Sequence, residues 1–318
     1  MVMTQVKTKK KGEKMRTKTE NKSKRFFGRL MAIALALAAL SLLLLPTSAA
    51  TINAWPRGDA SDRVHTHYER IPVTVSQSNK WVSDCLLIEE TTYAPLRSLC
   101  DAICPWVNIR FDAKTRTAYV TAEGLSLSAT DGSYYIVANG RYLYADTPVR
   151  ILDDGRTYLP IRLLAKALGV SVNWNAVTRS VRIDGSFAPI LSGDQFYDAD
   201  VVYWLSRIIS AESRGEPLLG QIAVGNVVLN RVKSRDFPNT VWGVIFDRRY
   251  GVQFTPVLNG TVYEAPTPSA VIAAKLCLEG VSVSNKVLYF LNPNKATSFW
   301  IVNNRPFAFQ IKDHHFYY

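Results

Sequence analysis

The chain has 318 residues, 47% of them apolar and 20% charged, which is enough for two domains of ordinary size and too apolar for a disordered polymer. Its formal charge of +12 invites a polyanion as partner, yet residues 1 to 29 hold 11 Lys and Arg against Glu13 and Glu20 and so carry +9 of it. The body is left near neutral at +3, which argues against nucleic acid as a partner.

The basic run is followed by sixteen uncharged residues, Leu30 to Leu45, and then by Pro46-Thr47-Ser48-Ala49-Ala50. A charged segment, an apolar core and small residues in that order make an export signal, so residues 1–50 are expected to be a basic segment and signal peptide. Left uncut, the same segment would anchor the chain in a membrane, although a spanning helix needs about 20 apolar residues. Either way the body is expected outside the cell or in its envelope. That setting permits disulfides. Of the four cysteines, Cys100 and Cys104 have helical spacing and Cys85 lies near them in sequence, but no histidine does, so neither a metal nor any other cofactor is expected. A disulfide from Cys85 to one of that pair is one reading, and buried thiols in small apolar positions are the other.

From Val73 an internal repeat begins. Tyr93-Ala94-Pro95-Leu96-Arg97 returns as Tyr158-Leu159-Pro160-Ile161-Arg162, and Ile109 to Val120 returns as Val172 to Ile183, the offset falling from 65 to 63. Each unit reads as a short strand, a turn, a Pro in the first turn of a helix, and two alternating strands joined by a polar turn at Lys114 to Arg116 or Val177 to Arg179. With Asp154-Gly155-Arg156-Thr157 ahead of the second copy and Ala167-Leu168-Gly169 and Trp174 behind it, residues 73–184 resemble the N-terminal domain of copper amine oxidases. The resemblance implies a non-catalytic attachment module or a spacer. Despite the family's name the repeat contains no histidine, so copper is not expected.

Residues 185–196, with Gly185, Pro189 and Gly193, read as a linker. The second domain, 197–318, opens with a helix from about Ala199 to Ser213 that Asp198 caps. Leu218 to Arg231 reads as a second helix, apolar nearly all round, and a third starts at Pro268 and ends at Gly280. Val287 to Leu291 and Phe307 to Ile311 read as strands. The expected fold class is α+β throughout: a two-repeat α+β module, then a domain with helices first and a small β-sheet.

On the first of these helices Val201, Leu205 and Ile208 share a face, and Glu212 is next on that stripe. Burial raises a carboxyl's pKa, so an inward Glu212 stays protonated near neutral pH and can hand a proton to a leaving oxygen. The alternative is a helix-ending side chain that turns to water or pairs with Arg214. Asn226 and Asn230, one turn apart on the second helix, are spaced to hydrogen-bond Glu212 or a substrate, with capping as the alternative for Asn230.

The run Ala211 to Pro217 is followed in order by Gly220 to Val224, Val228 to Val232, Phe237-Pro238-Asn239-Thr240, Gln253 to Val257, Asn259-Gly260, Leu288 to Pro293 and Ser298 to Ile301. Together these resemble the bacterial cell-wall hydrolase family that includes the spore cortex-lytic germination enzymes. The resemblance implies a lysozyme-like fold and cleavage of peptidoglycan glycan strands, with Glu212 as the catalytic acid. It also points to Gln253, Phe254, Tyr289, Asn292, Ser298 and Trp300 as substrate contacts, whose amides and rings suit sugar hydroxyls and C–H faces. Of the terminal pair His314-His315, His315 is expected to be structural.

Retaining hydrolysis needs a second carboxylate about 5 to 5.5 Å from the first, whereas a lytic transglycosylase lets the sugar's own 6-hydroxyl attack and manages with one. Glu216 is the nearest candidate, but Gly215 and Pro217 break the helix around it, and a structural role is expected. Asp236, Asp247 and Glu264 sit in loop-like settings. Transglycosylation is therefore preferred. The rivals are an N-acetylmuramoyl-L-alanine amidase, which usually depends on zinc ligands that this domain lacks, and a non-catalytic wall-binding protein. Spore cortex and vegetative wall are both open as substrates.

Overall fold

The computed structural model describes residues 68–318. The expected export segment, residues 1–50, lies outside them. The described chain opens with short strands β1 (Glu69–Arg70), β2 (Val73–Val75), β3 (Lys80–Trp81), β4 (Leu86–Ile88) and β5 (Thr91–Pro95), which leads into helix α1 (Leu96–Ile103) and the hairpin β6 (Asn108–Asp112) and β7 (Thr117–Ala122). Strands β8 (Leu125–Thr130), β9 (Tyr135–Ala138), β10 (Arg141–Tyr144) and β11 (Arg150–Ile151) follow. The pattern then recurs as β12 (Thr157–Pro160), α2 (Ile161–Leu168), β13 (Ser171–Asn175) and β14 (Ser180–Asp184).

The two repeats meet through β5 and β12, which pair antiparallel with Leu159 opposite Ala94. Pro95 and Pro160 end these strands and serve as helix N-caps, one position earlier than the sequence suggests. A proline has no N–H to leave unpaired, and its fixed φ suits both a strand end and a cap. The hairpin turns repeat as well. Asp112 Oδ1 accepts from Lys114 N at 2.9 Å and Asn175 Oδ1 from Val177 N at 3.0 Å, and Arg116 and Arg179 both take positive φ. Strands β8 to β10, which the repeat pattern did not foretell, extend β6 and β7 into a five-stranded sheet. Leu99, Leu127, Leu143, Leu164 and Ile183 fill the core between these layers, and Cys85, Cys100 and Cys104 join it as buried thiols. Gly169 closes α2 at a φ of 72°, where a Cβ would stand 1.7 Å from the Ala188 carbonyl oxygen, so only glycine fits.

The second domain begins after a short helix, α3 (Gly193–Phe196), set within the expected linker. Helix α4 (Ala199–Ser213) is capped by Asp198, whose carboxylate accepts from Asp200 N and Val201 N at 2.9 and 3.0 Å. Helix α5 (Leu218–Lys233) is buried on nearly every side, and short helices α6 (Val241–Ile245) and α7 (Thr255–Asn259) lead to α8 (Pro268–Leu278), which Thr267 caps. Helices α4, α5 and α8 enclose a core of Leu205, Ile208, Ile222, Val224, Val227 and Leu276. The last elements are β15 (Tyr289–Leu291), helix α9 (Trp300–Asn304), β16 (Phe307–Ile311) and β17 (His314–Tyr317). The three strands form one antiparallel sheet in the order β15-β17-β16. The domain is α+β with helices first. Its central strand β17 carries Phe316 into the core and was not foreseen.

The two domains touch. Tyr135, Tyr142 and Tyr144 on β9 and β10 pack against the helical core, and Glu279, just past α8, receives Arg141 Nε and Nη2 at 2.7 and 2.8 Å. Tyr197 Oη donates to the same carboxylate at 3.0 Å, and the Glu279 side chain is only 2% exposed. Breaking a buried pair from one side strands a charge and costs about 3–5 kcal/mol. Glu279→Ala should therefore lose that much stability in urea unfolding, while the double change Arg141→Met with Glu279→Leu should lose less than the sum of the single changes; an unchanged midpoint for Glu279→Ala would mean the junction contributes nothing.

Candidate active site

The apolar stripe of α4 runs through fully buried Leu205 and Ile208 and reaches Glu212, half-buried, where the helical core opens into a cleft of about 1690 Å³. Among the described residues no hydrogen bond or ion pair engages the Glu212 carboxyl. Arg214, the alternative partner, pairs with Glu264 at 3.2 Å. Burial pushes the Glu212 pKa up to about 7, against an opposing pull from the positive charge of Arg231.

Gln253, Phe254, Tyr289, Asn292, Ser298 and Trp300 all line the same cleft. They differ in what they offer. Trp300 is 52% exposed and stands edge-on to Tyr289 with ring centres 6.5 Å apart, the Arg305 guanidinium lying over both. Phe254 corrects the expectation of a sugar contact: at 2% exposure its ring is floor, packed on Phe290, and has no free face for a sugar. Neighbouring strand positions alternate, so Phe290 packs on Phe254 and Phe316 while Tyr289 turns to Trp300 and Phe237. Asn292 and Ser298 shape local turns, accepting from Asn294 N at 3.0 Å and Trp300 N at 3.4 Å.

Asn226 and Asn230 do not reach Glu212. Asn226 Nδ2 donates to Val281 O at 2.9 Å and its Oδ1 accepts from Val283 N at 2.8 Å, while Asn230 Nδ2 donates to Ser284 O and Val287 O, both at 2.9 Å. Both amides bind the main chain of the 281–287 segment where it runs past α5. Arg231, to which the sequence reading gave no role, is buried beside them, with Nε donating to Leu288 O at 2.7 Å.

Each carboxylate considered as a second catalytic group has another setting. Glu216 is buried, with Oε1 3.4 Å from His314 Nδ1. Burial raises the Glu216 pKa and lowers that of His314. Of the terminal pair, His314 is the one buried against Glu216, and His315 packs edge-on to Phe307. Asp247 is clamped by Arg249 Nη2 at 2.9 Å, which holds its carboxyl below the usual range, and Asp236 is exposed. A carboxyl with a raised native pKa favours the folded state most below its unfolded value and loses that contribution as pH rises through the native value. Glu212→Gln should therefore stabilise the fold by roughly 1–3 kcal/mol at pH 8 and by nothing at pH 4; equal denaturation midpoints of the two proteins at pH 8 would contradict the buried acid.

Similarity to known proteins falls on the same two regions. The family model of cell wall hydrolases matches residues 215–317, opening three residues after Glu212, and that of the copper amine oxidase N-terminal domain matches residues 79–183. The chain is 44% identical over 105 residues to a spore cortex-lytic enzyme of Bacillus cereus, covering 33% of this chain and 39% of that one. With the spore cortex-lytic enzyme of Oceanobacillus iheyensis it shares 38% identity over 133 residues, covering 42% of this chain and 47% of the relative. The chain thus spans less than half the length of these curated relatives. A solved structure, the catalytic domain of the germination-specific lytic transglycosylase SleB from Bacillus anthracis, is 40% identical with a TM-score of 0.36, covering 41% of this chain and all of that one. The C-terminal region of the chain thus matches the cell wall hydrolase family model, and the region before it matches that of the copper amine oxidase N-terminal domain.

Proposed function

We propose that this chain is an exported peptidoglycan-lytic enzyme that cuts the glycan strand between N-acetylmuramic acid and N-acetylglucosamine as a lytic transglycosylase. The observation that carries the reading is the unpartnered carboxyl of Glu212 in a cleft, protonated up to about pH 7. As general acid it protonates the glycosidic oxygen while positive charge spreads over the ring carbon and oxygen, and as base it then takes the proton of the 6-hydroxyl that closes the 1,6-anhydro ring. Gln253, Tyr289, Asn292, Ser298 and Trp300 form the wall that holds the sugars. Phe254 supports it from below.

The settings of Glu216 and Asp247 favour this route over retaining hydrolysis, because a nucleophile must be free to attack, whereas Glu216 is buried against His314 and Asp247 is held by Arg249. An amidase is disfavoured by the donor set: of the two histidines in this domain His314 is buried against Glu216, and among the described residues no three His, Cys, Asp or Glu side chains gather as a metal site. The relatives' names favour spore cortex as the wall that is cut, during germination, and the amine oxidase-type domain serves attachment. Among the described residues no helix is long and apolar enough to cross a membrane.

Mass analysis of digested cortex and vegetative sacculi tests the reaction. New ends should carry 1,6-anhydromuramic acid, and Glu212→Gln should lower their yield by about 100-fold or more on both walls. Reducing sugar ends, released peptides or undiminished turnover by the variant would each reject the proposal. Trp300→Ala should raise KM by roughly threefold to tenfold with kcat nearly unchanged, as for a sugar-stacking face; a fall in kcat alone would remove Trp300 from the binding wall.

A further inference from the structure

Arg231 is a buried cation in the cleft wall. It is 5% exposed, yet among the described residues no carboxylate lies in ion-pair contact with it: Asp247 is taken by Arg249, and Glu212 stands free. Its Nε is fixed on Leu288 O at 2.7 Å, its guanidinium carbon lies 4.8, 5.3 and 5.4 Å from the ring centres of Phe237, Phe254 and Tyr289, and its Nη1 is buried with no partner. Rings can hold a cation in place, but a buried donor left unmet is a lasting cost that a methionine of similar length would avoid. Such a cost is characteristic of sites where charge has a use.

We propose that Arg231 is a positioning residue for Glu212: a fixed, unpaired cation in the wall of the same cleft that steadies the carboxylate formed after proton donation, so that one side chain serves as acid and then as base. This rests on the lytic reading above. In the first half-reaction the Glu212 proton goes to the bridging oxygen, which leaves with the electron pair of the broken C1–O bond. In the second, the 6-hydroxyl oxygen bonds to C1 and its proton returns to Glu212. Between the two the carboxylate is bare, and a cation held in the wall of the same cleft lowers its energy where the low local dielectric gives charge its greatest effect. Burial pulls the pKa of Arg231 down to about 10, so it keeps its charge at neutral pH, and Glu212 is among the groups that support that charge. The other titratable or charged groups around the cleft are Arg214 and Glu216 after α4, Arg235 and Asp236 after α5, Asp247, Arg249 and Tyr250 after α6, Glu264 before α8, Tyr289 on β15, Lys295 before α9, Arg305 after α9, and Asp313 with His314; of all these, the charge that bears on Glu212 is that of Arg231.

The test compares Arg231→Met, Arg231→Gln and Arg231→Lys in the full chain, reading both the NMR titration of the Glu212 side-chain carboxyl and the pH profile of kcat/KM. Loss of the charge should move the Glu212 titration and the alkaline limb of the profile upward by about one unit, with kcat at pH 7 down by roughly 10-fold to 100-fold. Arg231→Lys should keep both midpoints within a few tenths. Arg231→Gln retains a donor for Leu288 O and stands in if the methionine variant does not fold. A fall in kcat with the Glu212 midpoint unmoved would overturn the proposal and leave Arg231 as packing. The titration needs no turnover, so a shifted midpoint without 1,6-anhydro products would reject the lytic reading while upholding the coupling.

Discussion

A carboxyl group taken half out of water, with no partner among the described residues, is the constraint around which the second domain is arranged. Glu212 closes the apolar stripe of α4, whose earlier members Leu205 and Ile208 lie in the core shared with α5 and α8. The helix stops one residue later, Glu216 N closes a turn on Ser213 O at 2.9 Å, and Pro217 caps α5. The acid therefore stands where the packed core meets the cleft. Burial there sets the proton affinity that the proposed chemistry needs, and a turn further into the core the same group would have no route to a substrate.

The opposite wall depends on polar residues inside an otherwise apolar helix. Asn226, Asn230 and Arg231 of α5 donate in succession to the carbonyls of Val281, Ser284, Val287 and Leu288. That segment leads straight into β15, so these bonds decide where Tyr289 stands in the cleft. Each amide satisfies main chain that would otherwise be buried without a partner, at a cost of about 1–3 kcal/mol per group. Helix α5 thereby links the core, the strand wall and the one buried cation of the site.

The amine oxidase-type domain is fastened to the side of the helical core by a mixed junction. Three tyrosines of β9 and β10 supply apolar area, while Arg141 and Tyr197 meet a single carboxylate, Glu279, that would be untenable alone. Apolar contact tolerates sliding; a buried bidentate pair does not. The junction therefore fixes one orientation of the two domains.

Much of this chain was legible in its sequence. The repeat, the cap at Asp198, the helix start at Pro268, the helix-ending glycines and the stripe leading to Glu212 are encoded within a few residues, and spacing reads them because backbone hydrogen bonding and side-chain periodicity act over that range. The Asx turns at Asp112 and Asn175 belong to the same class. Tertiary structure alone decided what each polar side chain meets: that Asn226 and Asn230 bind main chain and not Glu212, that Phe254 is floor and not sugar platform, that His314 and not His315 is buried against Glu216, and that Arg231 stands in the cleft wall without a counter-ion among the described residues. Those outcomes depend on segments far apart in the chain coming within a few ångströms, where burial and charge acquire their strength, and no local pattern carries that information.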